Sequence, residues 1–382
     1  MEDIYHPEAD VEYLEGYVPG GYHPTLIGDS FCSGRYTVQR RRYVSLKILT
    51  ARASPDSHEG DVLHYLMKSK LTHAGKRFIP PLLNQFWFHG PNGHHQYLVG
   101  EPAGCSIAKS KEDSTNLMFS PDAARSTAAQ LLLGLSYLHA NDICHGNLHL
   151  HNFLLRMPDW EDGLSTAELY KRFGKPYKVP IRRVDGKPRE PHAPAHAIYP
   201  MTLSMPANEV DDPEIIISDY GTSFIVSQTP SPTLYTPALY SPPGDFFNEP
   251  ITQPTAADIW TLGVNLYEVL GERPLFETFA WDRDDIIAEM INTLGQTLRI
   301  LRGGWDMGRG KTEQTCELDF AGGELRALED FLRAMMAFEP AERPTADQLL
   351  RSEYMVKWAL PAWERQKRQK RQKGTHPADK EN

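Results

Sequence analysis

Apolar residues along the 382-residue chain follow two periods, and each period predicts a different kind of element. In the run Ala128–His139 the apolar residues recur at helical spacing, which predicts a helix. The runs Ala256–Leu270 and Leu325–Met336 show the same spacing and predict two more helices. The segment Tyr43-Val-Ser-Leu-Lys-Ile-Leu49 is short, apolar and partly β-branched, which predicts a strand. The pattern therefore predicts a fold that contains both helices and strands.

Other segments predict strands, an arm and an insert. Arg35-Tyr-Thr-Val38 and Phe86-Trp-Phe-His-Gly-Pro-Asn-Gly93 contain the β-branched and aromatic residues typical of strands, and the second ends in a turn. Residues 1–34 are rich in Tyr, Pro and Gly, which favours an ordered, extended arm over a helix. Residues 156–214 contain charged, Pro-containing stretches, which predict an exposed insert or linker.

The C-terminal segment Glu364-Arg-Gln-Lys-Arg-Gln-Lys-Arg-Gln-Lys-Gly374 carries six basic residues. Two interpretations follow from this composition. The segment is either the solvated, fraying end of a helix or a basic patch for nuclear import.

Net charge, cysteine usage and the lengths of apolar runs limit the classes of protein that this sequence fits. The formal charge of −10 argues against general affinity for nucleic acid, because phosphate binding needs a positive field. The four cysteines show no Cys-x-x-Cys pairing, so a zinc site is not expected, and their scatter suggests a reducing compartment. The N-terminus lacks the pattern of a signal peptide, and no apolar run is long enough to span a bilayer. We therefore expect a soluble protein, cytoplasmic, nuclear or both, without membrane contact.

The motif with most chemical content is Ile143-Cys-His-Gly-Asn-Leu-His-Leu-His-Asn-Phe-Leu-Leu155, directly after the first predicted helix. It resembles the catalytic loop of protein kinases, His-Arg-Asp-Leu-x-x-x-Asn followed by an apolar strand. In this alignment His145 takes the place of the His, and Asn152 that of the second metal ligand. The catalytic base, an Asp in the template, is replaced by Asn147. His149 lies in the same loop as a further candidate catalytic residue.

Two more segments match the kinase pattern on either side of this loop. Val44-Ser-Leu-Lys47 resembles Val-Ala-Ile-Lys, which implies that Lys47 contacts the phosphates of ATP and pairs with a helix glutamate. Glu59 is the candidate glutamate, and Asp61 is the competing assignment. Asp219, in an Asp-Tyr-Gly variant of Asp-Phe-Gly, is the implied ligand of the metal that bridges the phosphates. Taken singly, a strand-ending lysine is usually a surface charge and an Asp-x-Gly usually a turn.

The resemblance also implies an adenine site and several supporting residues. Gln96-Tyr-Leu-Val-Gly-Glu-Pro-Ala-Gly104 is similar to the fifth strand and hinge of kinases, with backbone contacts to adenine expected from Glu101 to Ala103. Gly100 takes the gatekeeper position, which implies an open back pocket; alternatively, it is an edge-strand glycine at a bulge. Asp258 matches the helix aspartate that supports the backbone of the catalytic loop. His145, in the loop itself, is likewise implied to be a structural residue.

The end of the expected activation segment departs from the kinase pattern. Kinases close this segment with Ala-Pro-Glu, and here Gly244 replaces the glutamate. The glutamate normally pairs with an arginine, and Arg343 stands at the expected position. Because a buried charge is costly without a partner, we expect Asp245 or a shifted segment to compensate.

The similarity covers residues 35–358 and points to a subgroup. The segments Tyr17-Val-Pro-Gly-Gly-Tyr-His-Pro24, Glu168-Leu-Tyr-Lys-Arg-Phe-Gly174 and Ala257-Asp-Ile-Trp-Thr-Leu-Gly263 resemble SR-protein kinases of the fungal type. Members of that family use ATP and Mg²⁺ to phosphorylate serines of arginine/serine-rich proteins. The resemblance implies the bilobal α+β kinase fold, with a truncated β-rich N-lobe at residues 35–101 and a helical C-lobe at 102–360. An arm at 1–34, the insert at 156–214 and a basic tail at 361–382 complete the predicted organisation.

The glycine-rich loop of kinases is missing from this pattern. A Gly-x-Gly-x-x-Gly turn with its two strands needs roughly 15 or more residues, and only Gln39-Arg-Arg-Arg42 separates Val38 from Tyr43. Together with Asn147 and Gly244, this gap predicts a pseudokinase with weak ATP and Mg²⁺ binding that acts through a protein partner, with arginine/serine-rich proteins as candidates. The alternative is a working serine/threonine kinase whose sequence is truncated by a gene-model error.

Overall fold

The computed structural model describes residues 4–37, 43–157, 165–200, 203–230, 232–278, 282–295 and 322–374. The chain divides into two compact units, which we treat separately. The first unit comprises residues 1–67, 81–104 and 157–203, and the second comprises residues 68–80, 105–156 and 204–382. No helix in the described ranges combines the length and apolar character needed to cross a membrane.

A three-stranded antiparallel sheet forms the centre of the first unit. Its strands are β3 (Ser45–Ile48), β4 (Leu82–Gly90) and β5 (Gly93–Gly100), in the order β3-β5-β4. The predicted strand at 43–49 and the predicted strand and turn at 86–93 are confirmed. The short hairpin β1 (Ser30–Phe31) and β2 (Tyr36–Thr37) precedes the sheet, and helix α1 (Glu59–Lys68) follows β3. Segment 38–42, where the glycine-rich loop is expected to be missing, lies outside the described residues.

The predicted arm and insert pack together within the first unit. Insert residues form helix α4 (Thr166–Phe173) and the antiparallel strands β9 (Lys178–Pro180) and β10 (His196–Ile198). Tyr5 of the arm forms a β-bridge with Arg183. Six residues of arm and insert bury their side chains in one apolar cluster: Tyr5, Leu14, Tyr17, Ile181, Ala193 and Ala197. The insert is exposed at residues 184–191, as expected, whereas Ile181, Ala193 and Ala197 are buried because the arm packs against them.

The described part of the second unit is mainly helical, with helices of 4 to 20 residues. They are α2 (Ile107–Glu112), α3 (Pro121–Ala140), α5 (Pro243–Phe246), α6 (Pro254–Leu270), α7 (Arg283–Gly295), α8 (Glu324–Met335), α9 (Ala346–Leu349) and α10 (Leu360–Gly374). The three helices predicted from apolar spacing correspond to α3, α6 and α8 and are confirmed. Helices α3 and α6 are buried on most of their surface, which explains their nearly continuous apolar character.

Short strands connect these helices. Strand β6 (Ala103–Ser106) leads into α2, and β7 (Ile143–Cys144) pairs with β12 (Phe224–Ile225). The antiparallel pair β8 (Phe153–Arg156) and β11 (Ile215–Ile217) places Phe153 opposite Ile217 and Leu155 opposite Ile215. All four side chains are buried, and each contributes about 1.5–3 kcal/mol through the hydrophobic effect.

The basic tail forms helix α10, which is packed in its first half and exposed toward its end. In α10, Trp363 is buried with its ring tilted against that of Phe78, and the side chain of Gln366 accepts a hydrogen bond from Ser126 of α3. The ammonium of Lys370 lies 3.3 Å from Glu214. Residues 368–372 are exposed, in agreement with a solvated helix end, whereas Ala362, Trp363 and Gln366 in the first half of the helix are buried.

Candidate active site

The predicted catalytic loop lies in the second unit, between β7 and β8. Helix α3 precedes β7, and the apolar strand β8 begins directly after Asn152. Four loop residues, Ile143, Cys144, Leu148 and Leu150, are fully buried. Because these apolar side chains alternate with the polar residues, the packing holds His145, Asn147 and Asn152 in defined positions.

Asp258 supports the loop backbone from helix α6. Its Oδ2 accepts the N–H of His145 at 2.8 Å, and its Oδ1 accepts the N–H of Gly146 at 3.0 Å. Gly146 has φ of +73°, a left-handed conformation that a side chain disfavours. Burial alone would raise the pKa of Asp258, but the bond from His139 and the nearby imidazoles and N–H groups lower it below its ordinary value. The carboxylate is therefore charged and fully used as an acceptor of loop hydrogen bonds.

His145 connects the catalytic loop to the Asp-Tyr-Gly segment. Its Nδ1 faces the N–H of Asn147, and its Nε2 lies 3.0 Å from the carbonyl oxygen of Ser218. The proton therefore sits on Nε2, and burial lowers the pKa of His145. The ring also packs against Tyr220, with centroids 5.2 Å apart. These contacts place the backbone next to Asp219 against the loop.

Asp219 has an unusual backbone conformation. Its φ is +67°, which is uncommon for a residue other than glycine and costs about 1–3 kcal/mol. Aspartate tolerates this region better than most residues. Such strain persists only where the surroundings enforce it, and here the neighbouring Ser218 bonds the carbonyl of Asn152 through both its N–H and its Oγ.

Asn147 occupies the position of the catalytic base. Its N–H approaches Nδ1 of His145 at 3.4 Å, and its carbonyl accepts a hydrogen bond from the amide of Asn152 at 3.0 Å. The side-chain Oδ1 is buried and has no hydrogen-bond partner among the residues that the structure describes. A neutral amide oxygen at this point can accept a hydrogen bond but cannot take up a proton as a carboxylate does.

His149 and Asn152 contact each other across the loop. The Nδ2 of Asn152 lies 3.0 Å from Nε2 of His149, in addition to its bond to Asn147. Because an amide nitrogen only donates, Nε2 of His149 accepts, and the ring proton sits on Nδ1. Burial, with the imidazoles of His151 and His145, lowers the pKa of His149 to about 4. His149 is therefore a neutral hydrogen-bond acceptor at neutral pH.

The lysine and glutamate predicted from the sequence lie together in the first unit. The Nζ of Lys47 on β3 is 2.7 Å from Oε2 of Glu59, which is buried at the start of α1. Asp61 is exposed, with its carboxylate 4.0 Å from His58. Of the two carboxylates considered, Glu59 is thus the one that pairs with Lys47. A Cβ on the neighbouring Gly60 would lie 2.2 Å from Oε1 of Gln85, so that side chain would have to move.

The hinge residues follow β5 in the first unit. Gly100 pairs with Ser45 and Leu82, opposite an irregularity in β4, which agrees with the interpretation of a glycine at a bulge. A Cβ on Gly100 would lie 2.9 Å from Oγ of Ser45. That hydroxyl donates to the backbone carbonyl of Glu101 at 3.1 Å, and Ala103 begins β6. The hydroxyl of Ser45 therefore occupies part of the space that a glycine gatekeeper was expected to leave open.

Arg343 is satisfied without a carboxylate. Its Nε, Nη1 and Nη2 donate to the carbonyls of Ala337, Ala256 and Phe338 at 2.8–3.0 Å. No hydrogen bond joins it to Asp245 or to another carboxylate in the described part of the chain. The expected compensation by Asp245 was wrong, because backbone carbonyls already surround the guanidinium.

Sequence reasoning missed several residues that hold the catalytic loop. Nε2 of His139 lies 3.1 Å from Asp258, and the amide of Asn265 donates to the carbonyl of Leu148 at 3.3 Å. Thr236 of the activation segment donates to the carbonyl of Gly146, also at 3.3 Å. Of these three residues, only Asn265 could have been found from the sequence. It is a polar residue inside the apolar pattern of the predicted helix Ala256–Leu270.

Comparison with known proteins agrees with this geometry. A family model of the protein kinase domain matches residues 206–355. A serine/threonine protein kinase of Aspergillus fumigatus is 25% identical, covering 91% of each chain. The serine/threonine-protein kinase SRPK of Physarum polycephalum is also 25% identical, over 91% of this chain and 92% of the other.

A solved kinase-domain structure has the same fold. It superimposes with a TM-score of 0.51 at 18% sequence identity, covering 84% of this chain and 89% of the other. The bilobal kinase fold expected from the motifs is thereby confirmed. The chain therefore has the kinase fold and is similar to protein kinases, the SR-protein kinases among them.

Proposed function

We propose that this protein is a pseudokinase of the SR-protein kinase type, with little or no phosphoryl transfer and a protein-binding role. The observation that carries the proposal is Asn147, an amide at the position of the catalytic base, with its Oδ1 buried and unpartnered among the described residues. General-base catalysis contributes about 10²–10⁴-fold to rate, and a carboxamide cannot supply it. Loss of the glycine-rich cover, expected from the sequence, removes positioning of the phosphates as well.

Weak binding of ATP with Mg²⁺ is part of this proposal. Lys47, paired with Glu59, would contact phosphates, and the backbone of Glu101 and Ala103 would contact adenine. Asn152 and Asp219 would hold the metal, which when bound neutralises charge on the phosphates. The residues fit this use, since both N–H groups of Asn152 have acceptors within the loop and its Oδ1 is an oxygen ligand of the kind that Mg²⁺ prefers.

The proposed partner is a protein rich in arginine and serine. SR-protein kinases act on such proteins, and the net charge of −10 suits a basic partner. Partners of this kind are RNA-processing proteins, so we propose a cytoplasmic or nuclear location. A pulldown with an arginine/serine-rich peptide and a matched peptide with lysine for arginine would test the recognition.

The test of lost catalysis is radiolabelled phosphate incorporation into an arginine/serine-rich peptide. Three proteins are compared: the wild type, Asn147→Asp, and Asn147→Asp with a glycine-rich hairpin transplanted between Val38 and Tyr43. We expect signal from the third protein alone, because a base has nothing to act on when the γ-phosphate is not held in line. Introducing Asp219→Ala into the third protein should abolish that signal.

Two results would contradict parts of this proposal. Transfer by the wild type that depends on Asp219 would overturn the pseudokinase assignment. Transfer by Asn147→Asp alone would show that the base, and not the phosphate cover, is the dominant defect.

A second candidate function is an active serine/threonine kinase with a truncated sequence. It is favoured by the intact Lys47–Glu59 pair and by the bonds of Asp258 to the loop. Long-read sequencing of the transcript separates the two candidates. A glycine-rich coding segment between Val38 and Tyr43 would support the active kinase, whereas its absence would support the pseudokinase.

A further inference from the structure

The side-chain amide of Asn152 has both of its N–H groups committed within the catalytic loop. One donates to the backbone carbonyl of Asn147 and the other to Nε2 of His149, each at 3.0 Å. Asn152 itself is buried, with 9% of its surface exposed. The Asn147 carbonyl identifies this end of the amide as the nitrogen, since an oxygen at 3.0 Å from a carbonyl oxygen would be repelled, and Nε2 of His149 is therefore an acceptor.

The two bonds also determine where the oxygen points. A carboxamide is planar, so acceptors in both N–H directions fix the plane of the amide and, within that plane, the direction of Oδ1. The Asn147 bond alone would hold one N–H and allow the amide to tilt. The His149 bond fixes the second N–H and thereby the plane of the amide.

We propose that His149 is a positioning residue that orients Asn152, so that Oδ1 is presented as a ligand for a divalent cation. This inference rests on the proposed metal binding and adds the residue that prepares its ligand. His149 does not touch the cation in this arrangement; it acts through the amide. Residues that orient a metal ligand by hydrogen bonding typically change metal affinity about 10–100-fold when removed.

The chain offers a matched control in His151. Its ring lies 5.8 Å from that of His149, but it makes no hydrogen bond to Asn152 and is exposed. The variants are therefore His149→Leu, which removes the acceptor, His149→Gln, whose side-chain oxygen can accept the same N–H, and His151→Leu. If His149 only fills space, leucine should replace it as well as glutamine does.

The first measurement is Mn²⁺ binding by electron paramagnetic resonance, with Mn²⁺ alone and with Mn²⁺ plus ATP. We expect His149→Leu to weaken binding about tenfold or more, with His149→Gln and His151→Leu close to the wild type. Equal binding by His149→Leu and the wild type would overturn the proposal, as would equal weakening by His149→Gln and His149→Leu.

The second measurement needs no metal. In ¹⁵N-labelled protein, the scalar coupling across the hydrogen bond between Nδ2 of Asn152 and Nε2 of His149 reports the orientation directly. We expect this coupling in the wild type and its loss in His149→Leu; a folded wild type without it would overturn the proposal. If the wild type holds no Mn²⁺ at millimolar concentration, the proposed metal function fails, whereas the coupling still decides whether His149 orients the amide.

Discussion

The guanidinium of Arg343 lies over the indole of Trp260, with its central carbon 5.1 Å from the ring centroid. Burial lowers the pKa of Arg343 to about 10, and Glu339 is the neighbouring charge that opposes this shift. Three backbone carbonyls and one aromatic face thus take the place that a glutamate has in kinases that close the activation segment with Ala-Pro-Glu. A buried cation can be held by dipoles and a π face when several of them converge.

Replacing Arg343 with methionine should destabilise the second unit by about 3 kcal/mol, since it leaves one buried and two part-buried carbonyls without donors. Gly244→Glu, which restores the glutamate of the kinase pattern, should give no gain in stability. Each nitrogen of the Arg343 guanidinium already donates to a carbonyl, and a Cβ at Gly244 would lie 3.0 Å from Oε2 of Glu249. Urea denaturation of both variants checks this. Stabilisation by Gly244→Glu of more than about 1 kcal/mol would show that Arg343 does lack a partner.

Nucleotide should stabilise the protein only slightly. With a weak site, millimolar ATP and Mg²⁺ should raise Tm by less than about 2 °C, because stabilisation follows RT ln(1 + [L]/Kd). Thermal shift with Asp219→Ala as the control measures this. A rise of many degrees that disappears in Asp219→Ala would contradict the expectation of weak binding.

Ser45→Ala should strengthen binding of adenine nucleotides. The Ser45 hydroxyl donates to the Glu101 carbonyl at 3.1 Å, and we expect the 6-amino group of adenine to compete for that carbonyl. Removing one competing hydrogen bond should tighten ATP binding about two- to tenfold. Calorimetric titration with ATP and with purine riboside triphosphate, which lacks the amino group, provides the comparison.

The matched control for this prediction is Ser45→Thr, which keeps the hydroxyl and should bind ATP as the wild type does. The gain in Ser45→Ala should be absent for the purine analogue. An equal gain for both nucleotides would contradict this prediction. It would mean that the hydroxyl weakens binding by its volume and not by its hydrogen bond to the Glu101 carbonyl.

Acidification should destabilise the first unit through His23. Burial, with the neighbouring His95, lowers the pKa of His23 to about 4, and its ring has edge contacts with Phe31 and Phe88. An unfolded histidine has a pKa of about 6.5, so between these values the unfolded chain binds more protons. Stability is therefore complete above pH 6.5 and falls as the pH drops toward 4.

Melting curves between pH 7 and pH 5 measure this effect, which we expect to be a loss of a few degrees in Tm. His23→Gln should reduce the slope, and His89→Gln, at an exposed position, should leave it unchanged. Equal slopes for wild type and His23→Gln would assign the acid sensitivity to other groups.

Helical and strand periodicity predicted α3, α6, α8 and β3 because it depends on neighbours in the sequence. Motif spacing identified Lys47, Glu59, Asn147 and Asp258 as candidates, and the structure pairs Lys47 with Glu59 and Asp258 with the loop backbone. Their roles in nucleotide binding and catalysis stay predictions. A spacing can select residue types, but it carries no information on the direction of a side chain.

Contacts between segments distant in sequence were decided by the tertiary structure. The arm and the insert bury apolar side chains together around Tyr5 and Ile181, although the sequence predicted only an ordered, extended arm and an exposed insert. Likewise, carbonyls from α6 and the turn after α8 converge on Arg343, and the orientation of Asn152 depends on where the loop places His149. A backbone carbonyl is present at every residue, so its use as a partner leaves no trace in the amino-acid sequence, and packing alone determines it.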